Sequence, residues 1–114
     1  MKDLFFSNNE SKFLIEENRK ALASQLGMFL SCKTGELKYN EDFGLDYEIL
    51  LNKDIDNTFK ENLIRNKINK YFSQKITRLK NVIITKENRT LKIKIKYISI
   101  YSEEVEEIEI WRYA

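Results

Sequence analysis

The feature that most restricts the fold of this chain is a strict alternation of apolar and charged residues in its last third. Between residues 91 and 101 the apolar positions stand between three lysines, in the order Leu91, Lys92, Ile93, Lys94, Ile95, Lys96 and Tyr97. Successive side chains of a β-strand point to opposite faces, so this pattern predicts a strand with one buried and one solvated side.

Two further runs flank this strand. An alternating run starts near Leu79 and ends in the polar turn of residues 87–90, which predicts a β-hairpin. After a second polar turn, residues 105–113 predict a third strand, in which three glutamates are mixed with apolar residues: Glu106, Glu107, Ile108, Glu109, Ile110 and Trp111. A glutamate strand therefore lies beside the lysine strand. Cross-strand opposite charges contribute only about 0.2–1 kcal/mol each, so this pairing mainly sets register and neighbour choice.

The first two thirds of the chain show helical spacing. Residues 15–32 carry an apolar stripe of Leu22, Leu26, Phe29 and Leu30, and Gly35 is a plausible stop beyond it. Residues 45–51 predict a short helix or turn. A longer helix begins near Asp54, with Asp54 or Asp56 as N-cap, and its predicted stripe is Ile55, Phe59, Leu63, Ile64, Ile68, Tyr71 and Phe72.

These elements predict an α+β fold, with N-terminal helices packed on the apolar face of a three-stranded antiparallel meander. A brief strand or arm is expected over residues 1–11. Because the chain has 114 residues, one domain spanning 1–114 is expected. The sequence shows neither a signal peptide nor an apolar run of bilayer length, and its single cysteine, Cys32, cannot form an internal disulfide. We therefore expect a soluble cytoplasmic protein that does not bind membranes.

The residues available for catalysis are few. Without histidine, Ser-His-Asp and Cys-His catalysis and imidazole zinc sites are excluded, and three glycines are too few for a phosphate-binding loop, so neither metal nor cofactor is expected. The remaining enzyme hypothesis is a carboxylate pair, Glu36 with Asp42 or Asp46, that cleaves a glycosidic bond. Such pairs arise by chance in acidic loops, and a charge that tethers its own loop is the preferred interpretation of Glu36.

Nucleic-acid binding is another candidate, because the three lysines and Tyr97 could form a basic surface with an aromatic platform. However, strict alternation puts Tyr97 on the face opposite the lysines, and the neighbouring strand is acidic. The net charge of +2 also provides no strong overall field. No nucleic-acid partner is therefore expected.

Assembly through a sheet edge fits the pattern better. A meander leaves at least one edge of unpaired N–H and C=O groups, which an extended arm from another protein can complete by β-augmentation. The glutamates of residues 105–113 suit a lysine-bearing arm. Alternatively, these acidic side chains only protect the edge against aggregation.

Two short motifs lie between the helical segments. Thr34-Gly35-Glu36 and Phe43-Gly44-Leu45 resemble the turn of the baseplate wedge and sheath-initiator family, which serves contractile phage tails, R-type bacteriocins and type VI secretion baseplates. Family members usually read Thr-x-x-Gly-Glu-Arg, then a proline and Phe-Gly. In this sequence Ser31 replaces the threonine, Leu37 replaces the arginine, and no proline precedes Asp42.

The resemblance implies a structural part without enzymatic activity, although some family members have carried a lysozyme label. Its implied partners are the sheath protein and other baseplate wedge proteins, with the tail tube as a further candidate. It implies assembly in the cytoplasm, followed by incorporation into a phage tail or bacteriocin particle. The predicted contact residues are a sheath-binding strand, the adjacent lysine strand and a wedge-contact loop: Val105, Glu107, Ile108, Glu109 and Ile110; Lys92, Lys94 and Lys96; Gly35, Glu36, Phe43 and Gly44.

Overall fold

In the part of the chain that the structure describes, three helices precede a three-stranded antiparallel sheet, which confirms the predicted α+β fold. The computed structural model describes the backbone of residues 2–113 and the side chains of residues 14–112. The elements are α1 (Lys2–Ser31), α2 (Tyr47–Leu51), α3 (Asn57–Phe72), β1 (Ile76–Glu87), β2 (Thr90–Ser99) and β3 (Glu106–Tyr113). On the apolar face of the sheet, α3 packs against β1 and α1 packs against β3.

The sheet is a meander in the order β1-β2-β3, and its central strand carries the predicted alternation. Leu91, Ile93, Ile95 and Tyr97 are each at most 1% exposed, whereas the lysines between them are half-buried on the opposite face. The β1–β2 hairpin turns at Asn88, whose φ is 53°. Asparagine tolerates this left-handed conformation better than most residues, which explains why the turn forms there.

Helix α1 is much longer than predicted, because it begins at Lys2 and not near Ile15. The prediction of a strand or arm over residues 1–11 is therefore wrong. Serine, asparagine and glutamate in residues 7–10 looked like a turn, but each costs well under 1 kcal/mol in a helix, and the first glycine is Gly27. The predicted stripe is confirmed, since Leu22, Leu26, Phe29 and Leu30 are buried. The helix ends at Ser31, so Gly35 lies in the following loop and does not terminate it.

Helix α3 has Asp56 at its N-cap position, although no side chain forms the capping hydrogen bond. Its buried stripe differs from the predicted one at the first turn. Lys60 is buried, whereas Phe59, assigned to the stripe, is 53% exposed. Lys60 continues the four-residue spacing of Ile64, Ile68 and Phe72, and its long aliphatic stem can line the core.

Candidate assembly interface

The outer edge of β3 is an open, regular sheet edge. β3 pairs with β2 over eight consecutive residue pairs, from Thr90↔Tyr113 to Tyr97↔Glu106, without a register shift. Within residues 2–113, β2 is the only strand that pairs with it. Its alternate backbone N–H and C=O groups therefore point away from the sheet and are available to an added strand.

The other edge, formed by β1, is irregular. Its pairing with β2 shifts between Ile76 and Arg78 and again between Leu79 and Asn81. In addition, the Arg65 guanidinium of α3 donates to the Leu79 carbonyl oxygen at 3.1 Å. Bulges bend a strand and interrupt its ladder, so β1 is the poorer template for strand addition.

The predicted neighbourhood of lysines and glutamates is confirmed on the solvent face of β2 and β3. Lys94 Nζ lies 2.9 Å from a carboxylate oxygen of Glu107, and Lys92 Nζ lies 3.5 Å from one of Glu109. The hydrogen bond and charge of Glu107 raise the pKa of Lys94. Lys92 also lies 5.1 Å from the centroid of the Trp111 ring. The glutamates thus partly neutralise the lysine row within the sheet.

Tyr97 lies in the core beneath this face, so the aromatic platform considered for nucleic-acid binding does not form. Its side chain is 1% exposed, and burial raises the pKa of its hydroxyl to about 12.

The helix-facing side of β3 holds the strand on α1. Ile108 and Ile110 are partly buried against the core. At the start of the strand, Arg19 of α1 donates from Nε and Nη2 to the same carboxylate oxygen of Glu106, at 2.9 and 2.8 Å. Val105 lies one residue before the start of the strand and is 52% exposed. The four other predicted residues of that strand, Glu107, Ile108, Glu109 and Ile110, lie in β3.

The predicted wedge-contact loop, residues 35–44, closes on the end of α1. Gly35 and Gly44 have φ values of 93° and 105°, in the region that favours glycine. A Cβ on Gly44 would lie 2.6 Å from the Cys32 carbonyl oxygen, which already accepts a hydrogen bond from the Leu45 N–H at 2.9 Å. Gly44 is therefore required for the close approach of the two backbone segments.

Phe43 anchors the same loop in the core. Its ring centroid lies 5.0 Å from that of Phe29 and 5.6 Å from that of Tyr71, both with edge-to-face geometry. Such pairs contribute about 0.5–1.5 kcal/mol beyond the area that they bury. The role of Phe43 in this structure is thus internal, and since Gly44 is also buried, the surface of the loop is formed by the residues before Phe43.

Asp42 ties the loop to α3. Its carboxylate accepts hydrogen bonds from Lys67 at 2.8 Å, from Lys70, and from the Tyr71 hydroxyl at 3.1 Å. These donors hold the pKa of the Asp42 carboxyl well below its usual range, and the hydrogen bond from Lys67 has the largest effect. The group is therefore a stable anion.

Arg112, which the sequence analysis did not single out, joins three elements. Its guanidinium donates to the Ser31 carbonyl oxygen at the end of α1, lies 3.4 Å from the Glu36 carboxylate, and stacks 4.5 Å from the Tyr47 ring centroid. Tyr47 in turn donates its hydroxyl to the Leu30 carbonyl oxygen. The alternation of the strand could have indicated this residue, because Arg112 lies two residues after Ile110 and therefore on the same face of β3 as Ile108 and Ile110.

Of the three acidic residues in the enzyme hypothesis, Glu36 and Asp42 are held by different cations. Glu36 pairs with Arg112, whereas Asp42 pairs with Lys67 and Lys70. Asp46 is the N-cap residue of α2. Among the described residues, no three His, Cys, Asp or Glu side chains are grouped to hold a metal ion. None of the described helices is both long and apolar enough to cross a membrane.

Comparison with known proteins identifies the fold. The structure is similar to a crystal structure from Geobacter sulfurreducens provisionally described as a tail lysozyme, with a TM-score of 0.68 and 18% sequence identity. The similarity covers 84% of this chain and 90% of the other. No family model matches the sequence, and no curated protein matches it significantly. The chain therefore shares the α+β fold of that tail protein.

Proposed function

We propose that this protein is a structural baseplate component of a contractile injection particle, which joins the baseplate wedge to the tail and nucleates the sheath. In this role β3 accepts an extended arm of the first sheath ring by strand addition, and the loop of residues 35–44 faces the wedge. The observation that carries the proposal is the outer edge of β3, which no other strand among residues 2–113 pairs with and which is eight residues long and free of bulges.

Two further observations support this function. The fold resemblance to a protein described as a tail lysozyme agrees with the sequence resemblance of the Gly35–Glu36 and Phe43–Gly44 motifs. In addition, two of the three acidic residues of the loop, Glu36 and Asp42, are engaged in ion pairs that fix the loop to β3 and α3. A rigid loop suits a fixed contact between subunits, because little conformational entropy is lost on binding.

A proline scan of β3 tests strand addition. The backbone N–H groups of neighbouring residues in a strand point to opposite edges. One of the two variants Glu107→Pro and Ile108→Pro therefore removes an N–H on the outer edge, and the other removes an N–H that is hydrogen-bonded to β2. The variant that retains its fold by circular dichroism is then co-expressed with sheath and tube proteins. We expect it to lose sheath-capped particles.

The matched control is a proline variant at the β1 edge, either Ile83→Pro or Ile84→Pro, whichever retains its fold. This variant should still give sheath-capped particles. Normal sheath assembly with the folded β3 variant would refute the proposed function.

A further inference from the structure

The edge of β3 is chemically different on its two sides, and this difference specifies the segment that can dock there. On the solvent side the strand presents Glu107, Glu109 and Trp111. On the helix side it presents Ile108 and Ile110, which are only partly buried. An added strand would alternate between these two sides, residue by residue.

Each glutamate has free capacity for a second cation. The side chains of Glu107 and Glu109 are 43% and 33% exposed and each is bound by one lysine from β2. A carboxylate offers about four acceptor positions, and side chains directly opposite on adjacent strands lie about 4.5–5.5 Å apart at Cβ. Basic side chains of the added strand can therefore reach both carboxylates.

The helix side has room for apolar side chains. β3 runs along α1 from the Arg19–Glu106 ion pair to the contact of Arg112 with Ser31. Between these contacts Ala23 and Gly27 follow Arg19 at four-residue spacing on the same side of α1. Both are half-buried, and a Cβ on Gly27 would meet no atom within 4 Å. This flank leaves open space beneath a strand added to β3.

We propose that β3 and the Ala23–Gly27 flank of α1 select an extended partner segment with alternating basic and apolar residues. The basic residues pair with Glu107 and Glu109. The apolar residues lie beside Ile108 and Ile110 and pack against Gly27. The inference rests on the proposed function, because it describes the sheath arm that β3 is proposed to accept. A second copy of this chain fits less well, because an antiparallel pair of β3 strands centred on Ile108 would place Glu107 beside the partner's Glu109.

Peptide binding to the full chain tests the selectivity. Trp111 is the single tryptophan and is 57% exposed on β3, so its fluorescence reports strand addition. The probes are two nine-residue peptides, one alternating valine with lysine and the other valine with glutamate. We expect the lysine peptide to shift the emission to shorter wavelength and the glutamate peptide to bind at least about tenfold more weakly. The double variant Glu107→Gln/Glu109→Gln should remove most of this difference.

A steric variant tests the helix side. Gly27→Leu fills the open space and replaces a poor helix former with a good one, so the fold should be retained while affinity for the lysine peptide falls at least about tenfold. Ala21→Leu places the same side chain on the exposed opposite flank of α1 and should leave binding unchanged.

Equal affinity for both peptides, or full affinity in Gly27→Leu, would overturn the selectivity. Dimerisation through β3 without peptide, seen by size-exclusion chromatography and abolished by the folded β3 proline variant, would also overturn it. Failure of both peptides to bind would instead refute strand addition itself. Lysine-peptide binding by a chain that does not nucleate sheath would refute the proposed function and leave the selectivity intact.

Discussion

At the residue scale, two glycines with similar backbone conformations have different surroundings. Gly35 and Gly44 both have positive φ, but only Gly44 faces a neighbouring backbone, that of Cys32. The sequence motif marked both positions, because Gly35 and Gly44 belong to the resemblance. It could not rank them, since the contact with Cys32 depends on how the loop returns to the end of α1.

We expect Gly44→Ala to lower the free energy of unfolding by about 3–5 kcal/mol, from backbone strain and the clash with Cys32 together. Gly35→Ala serves as control and should cost only about 1–2 kcal/mol, because a Cβ there has open space. Urea denaturation measures both values. Equal losses for the two variants would show that the contact with Cys32 does not restrict position 44.

At the element scale, the strands were more predictable than the helices. Alternation identified the central strand and its lysine–glutamate neighbourhood, since a period of two fixes which face each side chain occupies. The start of α1 was missed because a polar run without glycine or proline does not stop a helix. Burial of Lys60 in place of Phe59 depended on how α3 sits over the sheet, which local spacing does not specify.

The link between the loop and α3 predicts a pH dependence. Asp42 has a lowered pKa in the folded protein, so its contribution to stability is full above about pH 5 and shrinks as the pH falls below about 4, where the unfolded carboxyl takes up a proton. Denaturation at pH 7, 4 and 3 should therefore show wild type losing its advantage over Asp42→Asn. Asp54→Asn is the control. A difference between wild type and Asp42→Asn that stays constant over this range would contradict the assignment.

At the scale of the whole molecule, the fold could be predicted from the order and period of the elements, whereas the side-chain contacts between distant elements of the candidate site could not. Arg112 meets Glu36 across 76 positions of sequence, and Arg19 meets Glu106 across 87. Pairs so distant in sequence depend on the packing of α1 beside β3. The sequence indicated which side chains lie on each face but not which charges meet.

The same arrangement predicts that the protein does not cleave peptidoglycan. A glycosidase needs two carboxyl groups that flank one bond, a proton donor and a base or nucleophile, whereas Glu36 is engaged by Arg112 and Asp42 by Lys67 and Lys70. We expect no clearing of a cell-wall suspension, with a known muramidase as positive control. Clearing by wild type that disappears in Glu36→Gln would establish the enzymatic alternative.

The position of Arg112 has a mechanical consequence. One planar cation near the end of β3 touches the last turn of α1, the loop at Glu36 and the ring of Tyr47. A force that pulls this strand outward must therefore load the helix terminus and the loop at the same time. Tension applied to the edge strand of the sheet would then be shared with the end of α1 and the loop, and β3 would not separate from the fold by itself.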